Sequence, residues 1–86
     1  MKPRMTVTNR SKERRPIFTE PDGADYWMLP EQTFEIVADS DDPNGVFEVV
    51  DDGAGIQIFG SSTMGYLSVT HAGDLLECGH QRPPEP

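Results

Sequence analysis

Along most of the chain, apolar and polar positions alternate with a period of two, in short runs separated by turns. The clearest stretch is residues 33–60. Phe34, Ile36 and Ala38 alternate with Thr33, Glu35 and Val37; Val46, Glu48 and Val50 alternate with Phe47 and Val49; Ile56 and Ile58 alternate with Gln57 and Phe59. The runs, residues 34–38, 46–50 and 56–59, are β-branched or aromatic, which predicts strands. Two acidic turns, residues 39–45 and 51–55, cut them and predict an antiparallel meander. A helix needs apolar residues at i, i+3, i+4 and i+7 over roughly ten positions, and no window offers them. Glu35 and Glu48 fit a sheet with one wet face.

The same reading extends to both sides. Residues 5–8 predict a strand, with Met5 and Val7 on one face. Residues 9–15 are a polar turn. Asn9, Arg10 and Ser11 match a glycosylation sequon, but Asn and Ser at this point are better read as side-chain turns onto their own backbone. Pro16 starts a strand over 17–20, where a missing N–H is tolerated. Pro21, Asp22 and Gly23 make a strong turn signal. Residues 25–29 resume as a strand, ended by Pro30 and Glu31. Residues 60–65 read as a polar turn, 66–70 as a strand, His71 to Asp74 as a hairpin turn, and 75–78 as a closing strand. A single helical turn is compatible only with 30–33 or 61–65.

The expected fold is therefore all-β, with seven or eight short, mainly antiparallel strands in a small sandwich or barrel. Residues 1–78 form a single β domain, and residues 79–86, with three prolines in the last four positions, form a flexible tail.

Composition sharpens this picture. A chain of 86 residues with 35% hydrophobic content and 8 each of Gly and Pro is one domain with a small core and many turns. The single cysteine, Cys78, excludes an internal disulfide. With no apolar leader at the N-terminus, it points to a reducing, cytoplasmic setting. No run approaches the ~20 apolar residues that span a bilayer. The net charge of −8 is unevenly spread. Six of the seven Lys and Arg residues precede residue 16, against Glu13 alone, while residues 16–86 carry fourteen acids against Arg82. An acidic body repels nucleic acid and anionic membranes. The basic segment reads as a solvated end rather than a nucleic-acid patch.

Asn9, Arg10 and Ser11, then Pro16, then Glu20, Pro21, Gly23 and Tyr26, then Leu29 and Pro30, resemble a set of small bacterial all-β proteins. Their pattern is N-R-[ST]-x-x-P followed by E-P-W-G-x-x-Y-x-[LM]-P-P-G and a hydrophobic strand. The resemblance covers about residues 6–38. This chain has Asp22 in place of the Trp, and Glu31 and Gln32 in place of the Pro-Gly pair. The resemblance implies a compact all-β fold and no named activity.

Candidate chemistry is sparse. Asp39, Asp41 and Asp42 could offer hard oxygen ligands to Ca²⁺, but a loop begun at Asp39 has Asn44 where Gly is needed and Val50 where a bidentate Glu is needed. A solvated turn is the plainer reading. His71, Cys78 and His80 are the soft ligands, and Cys78 and His80 on an extended strand share a face; the plainer reading is a half-buried thiol with two solvent histidines. Residues 60–65 match neither a nucleophile elbow nor a P-loop. The carboxylate pairs sit in exposed turns, where nothing tunes them for acid–base work. No catalytic activity and no cofactor are expected. Tyr26 and Trp27 are adjacent, so a strand points them to opposite faces. With Met28 they are the expected contact residues for a protein partner or a second copy. The expected function is a non-catalytic interaction or self-association module, acting through this aromatic face or an unpaired edge strand. The alternative is a small-ligand or metal-binding barrel using the Asp or the His and Cys set.

Overall fold

The computed structural model describes residues 2–85. Eight strands run β1 (Arg4–Thr8), β2 (Arg15–Glu20), β3 (Ala24–Met28), β4 (Thr33–Ala38), β5 (Phe47–Asp51), β6 (Ile56–Gly60), β7 (Leu67–His71) and β8 (Asp74–Leu75). There is no helix among the described residues. The strands fall close to the alternating runs, because side chains that alternate in hydrophobicity can bury one face of a pleated sheet.

The pairing departs from a meander. The strands form two separate four-stranded sheets, β1-β4-β7-β8 and β3-β2-β6-β5, so a closed barrel is excluded. β5 and β6 form the expected hairpin, but β4 lies in the other sheet between β1 and β7. Residues 39–46 therefore carry the chain from one sheet to the other. All pairs are antiparallel except β2 with β6, which is parallel from Ile17 opposite Ile56 to Glu20 opposite Phe59. That ladder starts after Pro16, so the proline is not asked for a donor there.

One core cluster draws on both sheets: Ile17, Tyr26, Met28 and Ile58 from one, Phe34, Ile36 and Val69 from the other. Phe34, Ile36 and Ile58 are fully buried, which fixes the register of β4 and β6, since a slip by one residue would turn them to solvent. The loop read as polar at 60–65 holds a further core residue. Met64 is fully buried, and its backbone accepts from Ser40 N at 2.9 Å. A Cβ on Gly45 would lie 2.8 Å from Met64 Cγ, so the thioether fills the space beneath the crossing segment.

The β5–β6 turn shows why its residues are needed. Asp51 and Asp52 accept from the backbone N–H groups of Gly53, Ala54 and Gly55, which ties off the β5–β6 hairpin. Gly55 then passes so close to the start of β2 that a Cβ would sit 2.9 Å from Pro16 Cγ and 3.0 Å from the Pro16 carbonyl.

The tail also departs from expectation. Residues 79–82 do not fray; they pack along β3. Gly79 N donates to Asp25 O at 2.6 Å, Trp27 N donates to His80 O at 2.8 Å, and Tyr26 and His80 form a parallel bridge. The outward backbone groups of β3 had no strand partner, and this segment satisfies them.

Gly55→Ala is expected to cost about 1–3 kcal/mol, because backbone as well as side chain must move. Ile36→Ala is expected to cost about 2–5 kcal/mol by opening a cavity. Both are read from urea unfolding. A cost below about 0.5 kcal/mol at Ile36 would contradict the β4 register.

Candidate functional site

Two open sheets have four outer strands: β3, β5, β1 and β8. An outer strand exposes unpaired N–H and C=O groups unless something covers or discourages them. The four are treated differently.

β3 is strapped. Besides the backbone bonds of residues 79 and 80, Gln81 Nε2 donates to Trp27 O at 2.7 Å and to Gln32 Oε1 at 2.8 Å. Arg82 Nε donates to Asp25 Oδ2 at 2.8 Å and its Nη2 to Asp25 Oδ1 at 2.5 Å. Arg14 Nη1 donates to the Gln81 carbonyl at 3.1 Å. The Trp27 indole N–H donates to Asp25 Oδ2 at 2.8 Å, and the Cys78 thiol donates to Asp25 Oδ1 at 3.5 Å. The Arg82 guanidinium above all, helped by the Trp27 and Cys78 donors, holds the Asp25 carboxyl well below the usual carboxylate range, against the opposing pull of its partial burial.

β8 is two residues long and offers little template. At β1, Ala38 N donates to Pro3 O and Asn9 N to Gln32 O. Ladder alternation therefore turns the backbone of Arg4, Thr6 and Thr8 outward. That edge is polar and led by a cation, with Arg4 paired to Glu35 at 3.3 Å.

β5 is open. Ser61 N donates to Val46 O and Asp52 N to Gly55 O, which makes 46, 48, 50 and 52 the residues bonded toward β6. The N–H and C=O groups of Phe47, Val49 and Asp51 then point away from the sheet. Val49 lies opposite Ile58 on the core face, yet it is 50% exposed, so the second sheet leaves it half-uncovered. Val46 at 65% and Val50 at 37% add exposed apolar side chains on the opposite face of the strand. Three of the six large apolar side chains exposed among the described residues thus cluster on or beside this one strand.

The residues singled out from sequence scatter. Tyr26 is 7% and Met28 1% exposed, both in the core cluster, so neither offers contact surface. Alternation does place Trp27 on the opposite face, but half-buried and engaged by Asp25 and the strap. His71, Cys78 and His80 line one cleft of about 540 Å³ around the β7–β8 hairpin and the strap. There the two imidazoles lie edge-on to Phe34, at centroid distances of 5.6 and 5.8 Å, while the thiol turns to Asp25. Asp42 accepts from Asn44 N and from the Thr63 hydroxyl, and Asp39 donates its backbone N–H to Tyr66 O. Among the described residues, no group of three or more His, Cys, Asp or Glu side chains is gathered to hold a metal ion. A second cleft of about 340 Å³ lies between residues 19–22 and residues that include Gly60, Ser61 and the exposed Tyr66. Among the described residues, no helix is long and apolar enough to cross a membrane.

The open strand was within reach of sequence reading only as a class of feature. Its run, VFEVV, alternates as a covered strand would, and openness depends on which strands stand beside it. No family model, no curated protein and no solved structure matches the chain.

Asp25→Asn is expected to lower stability by about 1–3 kcal/mol at neutral pH, by weakening the charge-assisted bonds that hold the strap. A carboxyl whose folded pKa is depressed contributes stability that is full above the unfolded pKa, about 3.9, and that fades as pH falls below it. Thermal melts of both forms should therefore converge progressively below about pH 4. A gap that stays constant into acid would contradict the ion-pair account.

Proposed function

We propose that this chain is a non-catalytic interaction module, a small β-sandwich that associates with another polypeptide by adding it as a strand along the open edge of β5. The observation that carries the reading is the conjunction at β5 of outward backbone groups at Phe47, Val49 and Asp51 with the exposed Val46, Val49 and Val50. Strand addition needs both features, since main-chain hydrogen bonds supply affinity and alternate side chains supply selectivity. The other outer strands are strapped, short or polar. The association face thus moves from the Tyr26–Met28 aromatic run to an edge strand, the second route weighed from the sequence. The exposed thiol of Cys78 suits a reducing compartment.

The edge has a specific backbone signature. Val49→Pro removes an N–H that makes no ladder bond, so the fold is expected to survive at a cost within about 1 kcal/mol. Val50→Pro removes a bond to β6 and is expected to cost about 3 kcal/mol or more. Hydrogen exchange adds the functional readout: the amides of Phe47, Val49 and Asp51 should exchange fast in the isolated chain, and those of Glu48 and Val50 slowly. Slow exchange at Val49 in a monomer would mean that the edge is already covered, and the reading would fail.

A further inference from the structure

The charge around β5 narrows what can bind there. The outer face of the strand presents Glu48 and Val50, the inner face Phe47, Val49 and Asp51, with Asp52 next in the chain. Every residue from Glu48 to Ala54 is exposed. No Lys or Arg occurs between Arg15 and Arg82, so β5, its hairpin partner and the connections around them contain no cation. The ion pairs of the described residues, Arg4 with Glu35, Arg10 with Glu31 and Arg82 with Asp25, involve none of Glu48, Asp51 and Asp52. The strand therefore combines an apolar strip, three outward peptide groups and an anionic rim that the chain does not neutralise.

A second copy fits this edge poorly. Antiparallel self-pairing centred on Val49 would set Glu48 opposite Val50 and leave the two Glu48 side chains diagonal to each other on one face, within reach of each other. Two bodies that each carry fourteen acids against one Arg over residues 16–86 would also repel. A cationic segment meets neither obstacle.

Resting on the proposed strand addition, we infer that the occupant of β5 is an extended segment of another protein in which Lys or Arg alternates with β-branched residues. Its apolar side chains lie over Val49 and Phe47 on the inner face, and its cations lie on the outer face, beside Glu48 and toward the Asp52 carboxylate that follows the strand. The cations set selectivity and encounter rate more than they add raw affinity.

The test uses the full chain and three blocked peptides. Acetyl-KVKVKVK-amide is the probe, TVTVTVT the neutral control and EVEVEVE the acidic control, titrated by calorimetry at two salt concentrations. The expected result has several parts. The Lys peptide binds at least about tenfold tighter than the Thr peptide, and the Glu peptide does not bind. Raising the salt erodes that margin. Val49→Pro abolishes binding, and Glu48→Lys, which keeps the backbone intact should the proline variant misfold, weakens the Lys peptide about threefold or more while sparing the Thr peptide. Equal binding of the Lys and Thr peptides, both lost in Val49→Pro, would overturn the cation inference and leave strand addition standing. Lys-peptide binding that persists in a folded Val49→Pro would be plain electrostatic adhesion and would overturn the inference. Sedimentation showing a dimer that Val49→Pro dissociates would make a second copy the occupant and overturn it likewise. Absence of binding by every peptide, with the chain monomeric, would overturn both readings together.

Discussion

An open sheet must dispose of its edges, and this fold is shaped by how it does so. This chain closes no barrel and makes two short sheets around one core instead. Each sheet then has two outer strands with peptide groups that need water or a partner. The strap of residues 79–82 is the most elaborate answer. It satisfies both backbone groups of Trp27 and anchors on Asp25, which receives Arg82, Trp27 and Cys78 at once. Asp25 thereby serves as a post for the strap rather than as a reactive acid.

A second polar feature secures the opposite end of β3. Asn9 is buried, and its amide donates to the carbonyls of Glu13 and Met28 at 2.8 and 2.9 Å. Its Oδ1 accepts from the N–H and hydroxyl of Ser11, and its backbone groups bond Gln32 and Glu31. Both amide hydrogens and the amide oxygen are used, so a buried polar side chain carries no orphaned group. This accounts physically for the Asn, Arg and Ser run in the sequence. Asn9 and Ser11 lock the polar turn, and Arg10 reaches Glu31 at 3.3 Å on the surface. The outcome is the local side-chain turn rather than a modification site.

Side-chain alternation makes the strands, the tight turns between them and the shared face of Phe34 and Ile36 legible in the sequence. It reports which face a residue shares, not which strand lies beside it. The expected meander failed there, because residues 39–46 look like a hairpin turn whether the chain folds back or crosses to the other sheet. The parallel β2–β6 pair was hidden for the same reason, since its partners lie far apart in sequence and are brought together by the shared core. The docked tail was missed because its attachment relies on peptide groups, which every residue carries, and its three prolines drew attention to the end of the segment rather than to Gly79, His80 and Gln81. The spacing of Tyr26 and Met28 puts them on one face of β3, and that face is the core rather than the expected contact surface.

The acidic rim of β5 resolves a conflict that the open edge creates. An exposed edge strand with Val49 on one face and Val46 and Val50 on the other would ordinarily invite pairing between copies and then aggregation. Glu48, Asp51 and Asp52 give every copy the same charge at the same place, so edge-to-edge approach of two chains is opposed where the apolar strip would favour it. The same carboxylates favour a segment of opposite sign, and β5, β6 and the connections beside them carry no Lys or Arg. Selectivity against itself and the proposed preference for a cationic segment rest on one arrangement of charge. The covered β3 edge fits this logic: the other edge of the same sheet is occupied in cis by residues 79–81, which leaves the anionic edge as the open one of that sheet.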